Sequence, residues 1–191
     1  MFTSKDELSM NYKEELLDEL VYYNHCYPDE LMTTSQCVNL LINSLNPFHR
    51  EFYHPGHFVA SAWILNKEKS QVLLTYHKKL NRWLQLGGHA DGNSNIKGVA
   101  LKEGYEESGL RELQFLTPHI FDLSIHDFPQ SKECPTHKHF DIRFLLHSSI
   151  SNDYVISDES HDLKWVALED VYRFNDNPEL LRLVEKTRQF I

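Results

Sequence analysis

Residues Gly87–Leu110, Gly-Gly-His-Ala-Asp-Gly-Asn-Ser-Asn-Ile-Lys-Gly-Val-Ala-Leu-Lys-Glu-Gly-Tyr-Glu-Glu-Ser-Gly-Leu, decide how this chain is read. The segment opens in a loop, Leu86-Gly87-Gly88-His89-Ala90-Asp91-Gly92, whose glycines admit backbone angles that other residues avoid. The pattern then predicts a helix from about Ile96 to Ser108. Glu103, Glu106 and Glu107 stand at i, i+3 and i+4, so a helix gathers three carboxylates on one face. Like charges at that spacing cost an isolated helix roughly 0.2–0.5 kcal/mol per pair, and a cation is expected opposite them. Hard divalent cations such as Mg²⁺ favour carboxylate oxygens and water. The plainer alternative is a solvated acidic face in which Lys102 pairs with Glu106 across one turn.

Strands flank this segment. His57 to Leu65 is apolar enough for burial on both faces, and after a charged turn (Asn66 to Ser70) Gln71 to Tyr76 reads as its hairpin partner. Further strands are predicted at Phe121–His126, His139–His147 and Leu163–Val166. A last helix is predicted after Asn175–Pro178, where Asn175, Asp176 or Asn177 can cap and Pro178 suits the first turn. The first 50 residues differ, with 8 acids and 3 bases. Tyr12, Leu16, Leu17, Leu20 and Tyr23 recur at helical spacing up to Pro28. A second helix is predicted from Pro28 or Asp29 to Leu45, with Leu31, Val38, Leu41 and Ile42 on a shared face. Residues 1–50 are therefore expected to be a helical extension packed on a main domain at 51–191, since ~50 residues make a marginal core alone. Strands interleaved with helices indicate an α/β or α+β class.

Gly88 to Leu110 resembles the signature of the Nudix hydrolase superfamily: a glycine, five residues, a glutamate, seven residues, then Arg-Glu-hydrophobic-x-Glu-Glu-x-Gly-hydrophobic. Gly88, Glu103, Glu106, Glu107, Gly109 and Leu110 fall on its positions. Ser94 replaces the first glutamate, Lys102 the arginine, and Gly104 a hydrophobic residue. Lysine keeps the charge but not the bidentate fork. Strands on both sides and a late Trp165-Val166 agree with the resemblance, which covers about residues 57–170. The Gly-Gly-His-Ala-Asp-Gly loop also looks like a largely uncharacterised bacterial branch of that superfamily. The resemblance implies an α/β/α sandwich with a mixed sheet, Mg²⁺ (or Mn²⁺) held by Glu103, Glu106 and Glu107 with the Gly88 carbonyl, and hydrolysis of a diphosphate in a nucleoside diphosphate derivative. It implies a small-molecule partner and a homodimer as a common state. Within the family the general base is a helix glutamate or one from a later loop. Glu159, in Ser157-Asp158-Glu159-Ser160-His161, is the loop candidate. The alternative is a Nudix-fold nucleotide-binding sensor that lost turnover, motivated by Lys102 and Ser94. An isopentenyl-diphosphate-isomerase-like reaction lacks a cysteine in the expected place.

The chain is rich in histidine, with 12. Strand alternation puts His137, His139, Asp141 and Arg143 on one face and Phe140, Ile142 and Phe144 on the other, while Asp122, Ser124 and His126 oppose Phe121, Leu123 and Ile125. A polar face in a covered sheet is expected to meet a cleft, because unpaired burial is costly. His126, His139, Asp141 and Arg143 are thus expected to line or support the substrate pocket, either as a hydrogen-bonded patch or with His-x-His and a carboxylate as a Zn²⁺ or Mn²⁺ site. His89 in the glycine loop and Arg82 before it, with Lys78 and Lys79, are candidates for phosphate contact.

Composition excludes several classes. The chain has 191 residues, 28 acids against 19 bases and a net charge of -9, which argues against binding that neutralises many nucleic-acid phosphates. No apolar run approaches the ~20 residues of a membrane span, and the first residues carry no apolar signal stretch. Cys26, Cys37 and Cys134 form neither a disulfide framework nor a zinc pattern, so a reducing cytoplasm is the expected compartment.

Overall fold

The computed structural model describes residues 4–130, 134–158 and 160–191. Glu159 lies outside the described residues. Helices α1 (Ser4–Cys26) and α2 (Leu31–Asn43) come first, joined by a 3₁₀ turn at Pro28–Glu30. They are followed by β1 (Gly56–Leu65), β2 (Gln71–His77), β3 (Arg82–Leu84) and β4 (Leu86–His89). Then come α3 (Ile96–Ser108), β5 (Leu113–Phe115), β6 (Asp122–Phe128), β7 (His137–Ser148), β8 (Ser160–Ala167), a 3₁₀ segment at Leu168–Arg173, and α4 (Pro178–Thr187). The strands form one mixed sheet in the order β3-β2-β1-β7-β5, with β4 on β1, β6 on β7 and β8 on β2. The α+β class and the helical N-terminal region expected from sequence are both present. No helix among the described residues is long and apolar enough to cross a membrane.

Contacts divide the chain into two compact units. One gathers the residues up to Ala60 with His89–Val99 and Leu123–Ile142. Here α1 and α2 bury Leu16, Leu20, Tyr23, Cys37, Leu40 and Leu41. The buried face of α2 is Thr34, Cys37, Leu40 and Leu41; of the apolar residues predicted to share a face, Leu41 is buried, Val38 is half-buried, and Leu31 and Ile42 are exposed. The helical stripe runs through small residues whose polarity is satisfied locally: the Thr34 hydroxyl donates to Glu30 O at 3.2 Å. In the same unit Phe48 stacks on Phe58 at 5.3 Å and Gly92 N donates to Phe48 O at 2.9 Å. Asp91 and Gly92 take φ of +50° and +84°, the left-handed geometry that the Ala-Asp-Gly sequence suits.

The other unit comprises Ser61–Gly88, Ala100–Asp122 and Arg143–Ile191. Its core joins Trp63, Leu65, Val72, Leu74, Phe121, Leu145 and Val166 to Leu180, Leu183 and Val184 of α4. The buried indole of Trp63 donates to Thr187 Oγ1 at 2.9 Å, which ties β1 to the last turn of α4. Asn177 caps α4 by accepting from Glu179 N at 2.8 Å, and Pro178 opens its first turn, as predicted.

Asp122 is fully buried in this unit, so here the polar strand face meets partners rather than a cleft. Its carboxylate accepts from Arg143 Nη1 at 3.1 Å, Arg182 Nε at 2.9 Å and Nη2 at 2.8 Å, and Lys186 Nζ at 2.8 Å. Burial alone would push the Asp122 pKa up, but the Arg182 hydrogen bond and the charges of Arg143, Lys186 and Arg182 hold it below the ordinary carboxylate value.

Candidate active site

Helix α3 spans the predicted residues, and its C-terminal half carries the three glutamates. Gly109, at φ +63°, ends it, with its N–H donating to Tyr105 O at 2.9 Å. Gly104 is buried on the inner side of the helix. A Cβ there would lie 2.9 Å from Leu113 Cδ1 and 3.3 Å from Ile64 Cδ1, so glycine lets the helix approach β1 and β5. That close approach explains a residue that otherwise costs a helix about 1 kcal/mol relative to alanine.

The glycine segment predicted as a loop begins as strand β4, and its glycines serve the glutamates. Glu107 is buried, and its Oε1 accepts from Gly87 N at 3.0 Å. Gly88 presses on the Glu103 carboxylate, where a Cβ would stand 2.6 Å from Oε2 and 2.7 Å from Cδ. Glu106 is exposed. Lys102 Nζ bridges Glu106 Oε2 at 2.6 Å and Glu103 Oε1 at 3.2 Å. The expected Lys102–Glu106 pair is therefore present, and Lys102 spans two of the three acids. The hydrogen bond to Glu106, reinforced by the Glu103 charge against slight desolvation, raises the Lys102 pKa. Ser94 is buried, and its hydroxyl donates to Ser9 Oγ at 3.2 Å and Ser9 O at 3.4 Å.

The other candidates separate. Arg82 is exposed at the start of β3. Lys78 donates to Asp158 O. Arg143 belongs to the Asp122 ion cluster and also donates to Glu179 Oε2 at 3.4 Å. Asp141 is buried on β7.

His89, His126, His137 and His139 do assemble, and with them His57 of β1. Ring centroids lie at 5.0 Å for His57–His137, 4.9 Å for His57–His139, 5.0 Å for His137–His139, 5.1 Å for His89–His139 and 5.6 Å for His126–His139. His57, His137 and His139 are buried. Burial and the neighbouring His89 lower the His57 pKa to about 4. Burial and the surrounding His89, His57, His126 and His137 lower that of His139 to about 2. Sequence reasoning missed His57. Its signal was there: a histidine inside a run apolar enough to be buried on both faces needs a partner.

Among the described residues, the side chains whose donor atoms converge as one set are His57, His137 and His139, within 4.8 Å of one another. The glutamates of α3 are spread along the helix face with Lys102 between two of them.

Residues 55–187 match the family model described as the NUDIX domain. No curated protein matches the chain. Among solved structures, the chain is similar to a C. elegans Ap4A hydrolase binary complex at 22% identity and TM-score 0.56, covering 70% of this chain and 96% of that one. It is similar to a hydrolase of the NUDIX family from Clostridium perfringens at 26% identity and TM-score 0.54, covering 71% and 98%. It also resembles the NUDIX domain of Shewanella oneidensis NrtR complexed with ADP ribose at 16% identity and TM-score 0.50, covering 69% and 86%.

Proposed function

The chain belongs to the Nudix hydrolase superfamily, and from that membership we propose that it is a metal-dependent hydrolase cleaving a diphosphate linkage in a nucleoside diphosphate derivative. The observation that carries this reading is the placement of Glu103 and Glu107 against the Gly87–Gly88 backbone, with Glu106 on the same helix. The donor set fits a hard divalent cation, Mg²⁺ or Mn²⁺, because it offers only carboxylate and carbonyl oxygens. Glu103, Glu106 and Glu107 would hold it, with the Gly88 carbonyl. Such an ion supplies neutralisation of phosphate charge and a lowered pKa for the attacking water.

The chain's own groups do the positioning. Glu107 is fixed by Gly87 N, and Gly88 leaves room for the Glu103 carboxylate only because it has no side chain. Lys102 keeps Glu103 and Glu106 side by side, and its exposed stem lets the ammonium turn toward a phosphate oxygen. The water's proton goes to a carboxylate. Glu106, exposed on α3, and Glu159, before β8, are the two candidates. For Arg82 and His89 we propose substrate contact. For His126, His139, Asp141 and Arg143 we propose support of the pocket. A nucleotide-type substrate accords with the Ap4A and ADP ribose named for two similar structures.

Purified protein with Mg²⁺ or Mn²⁺ should turn over a member of a nucleoside-diphosphate panel, and Glu106→Gln should abolish that turnover. The Lys102 bridge favours one alternative, a sensor that binds a nucleotide without cleaving it. Calorimetric binding with no product across several metals would select the sensor.

A further inference from the structure

We propose that His57, His137 and His139 form a second metal site, one that takes a borderline transition ion of the Zn²⁺ type and is separate in chemistry from the oxygen donors of α3. The donor atoms of the three side chains lie within 4.8 Å of one another, and all three residues are buried. His137 Nε2 and His139 Nε2 are 3.1 Å apart. Two nitrogens on one tetrahedral Zn²⁺, each ~2.0–2.1 Å from it, stand roughly 3.3–3.4 Å apart, so this pair already has nearly the spacing of two ligands.

The tautomers point the same way. His137 Nδ1 lies 2.7 Å from Pro135 O, and His57 Nδ1 lies 3.3 Å from Phe52 O. A carbonyl only accepts, so each Nδ1 is the donor, and Nε2 is the nitrogen left to offer a lone pair. Metal-bound histidines are held in this way, with the second ring nitrogen donating to a backbone carbonyl or carboxylate. A hydrogen bond from His139 Nε2 to His137 Nε2 would satisfy that pair without any ion. It would not serve His57, whose Nε2 is buried and has no hydrogen-bond partner among the described residues. That orphaned acceptor is what an ion between the three rings would satisfy. Phe128, 4.8 Å from the His139 ring and stacked on it, and Tyr53, 5.1 Å from that of His137, close the site with apolar surface. His89 packs beside the set, with its ring 5.2 Å from that of His57 and 5.1 Å from that of His139. Imidazole donors in a dry pocket suit Zn²⁺, Co²⁺ or Ni²⁺ and are poor hosts for Mg²⁺. Bound there, the ion would clip the start of β1 to the start of β7.

The test uses the full-length chain, stripped with a chelator, dialysed, and titrated with Co²⁺ in excess Mg²⁺ so that oxygen sites are filled. The expected result is one equivalent of Co²⁺ with the intense visible absorption of tetrahedral nitrogen ligation, displaced by Zn²⁺. Glu106→Gln should retain this signal, while His57→Gln and His139→Gln should each weaken binding at least about tenfold. Should either variant fail to fold, as judged by circular dichroism, the wild-type stoichiometry and spectrum still decide. Uptake of less than about a tenth of an equivalent overturns the proposal. So does an octahedral, weakly absorbing spectrum, or Co²⁺ binding that follows Glu106 rather than the histidines.

Discussion

Replacing Asp122 by asparagine should destabilise the protein more than any surface change, because it removes one charge from the middle of three opposite ones. The wild-type carboxylate accepts four hydrogen bonds at 2.8–3.1 Å. Arg182 is about one-third exposed and can turn to water, and Arg143 keeps Glu179 at 3.4 Å, but Lys186 is 7% exposed and lies deep in the cluster. Removing one partner of a buried ion pair costs about 3–5 kcal/mol, chiefly as the penalty of the uncompensated charge. For a chain of this size each kcal/mol lowers the melting temperature by roughly 2–4 °C, so a fall of roughly 6–20 °C is expected by calorimetry at pH 7. The pH dependence has a fixed sign. The folded pKa of Asp122 lies below its unfolded value, so its contribution is complete above the unfolded value of ~3.9 and is lost as pH falls through the folded one. The gap between wild type and variant should hold from pH 7 to 5 and close only in stronger acid. A gap under about 1 kcal/mol at pH 7, or one that closes before pH 5, would refute the claim that this cluster anchors α4.

Three further outcomes are expected. Gly88→Ala should fold within about 1 kcal/mol of wild type by urea titration, since the group it meets is the end of a glutamate side chain, yet lose at least about tenfold in turnover as Glu103 is displaced. Unchanged turnover would separate Gly88 from the site. Lys102→Gln should lower the Mg²⁺ concentration for half-maximal activity, because the ammonium bridging Glu103 and Glu106 competes with a cation; a higher requirement would contradict this. Cys37 should resist an aromatic disulfide reagent at pH 8 while exposed Cys26 reacts, because burial, helped by the Asp141 charge, pushes the Cys37 thiol up to about 12. Rapid labelling of Cys37 in the folded protein would count against that burial.

Local features were legible in the sequence, and long-range ones were not. The helix Ile96–Ser108, the β1–β2 hairpin with Leu65 opposite Val72, and the Asn177 cap follow from periodicity and end residues within a few positions of each other. The Lys102–Glu106 pair is likewise an i, i+4 contact. Strand β4 was hidden because glycines that usually mark a turn here make room for Glu103. The Asp122 cluster could not be read at all, since Arg182 and Lys186 lie some 60 residues away and reach it only after α4 docks. Alternation put His137 and His139 on one face of β7, and their rings do meet, but nothing local to Gly56–Leu65 says which strand brings a partner to His57.

That the α3 glutamates run a metal-dependent hydrolysis is tested most directly by assaying wild type and Glu106→Gln side by side on a nucleoside-diphosphate panel, with Mg²⁺ present and then removed by chelation. Release of a phosphorylated product that needs the metal and disappears in Glu106→Gln is the predicted result. Turnover that persists in the folded variant, or that survives removal of the metal, would contradict it.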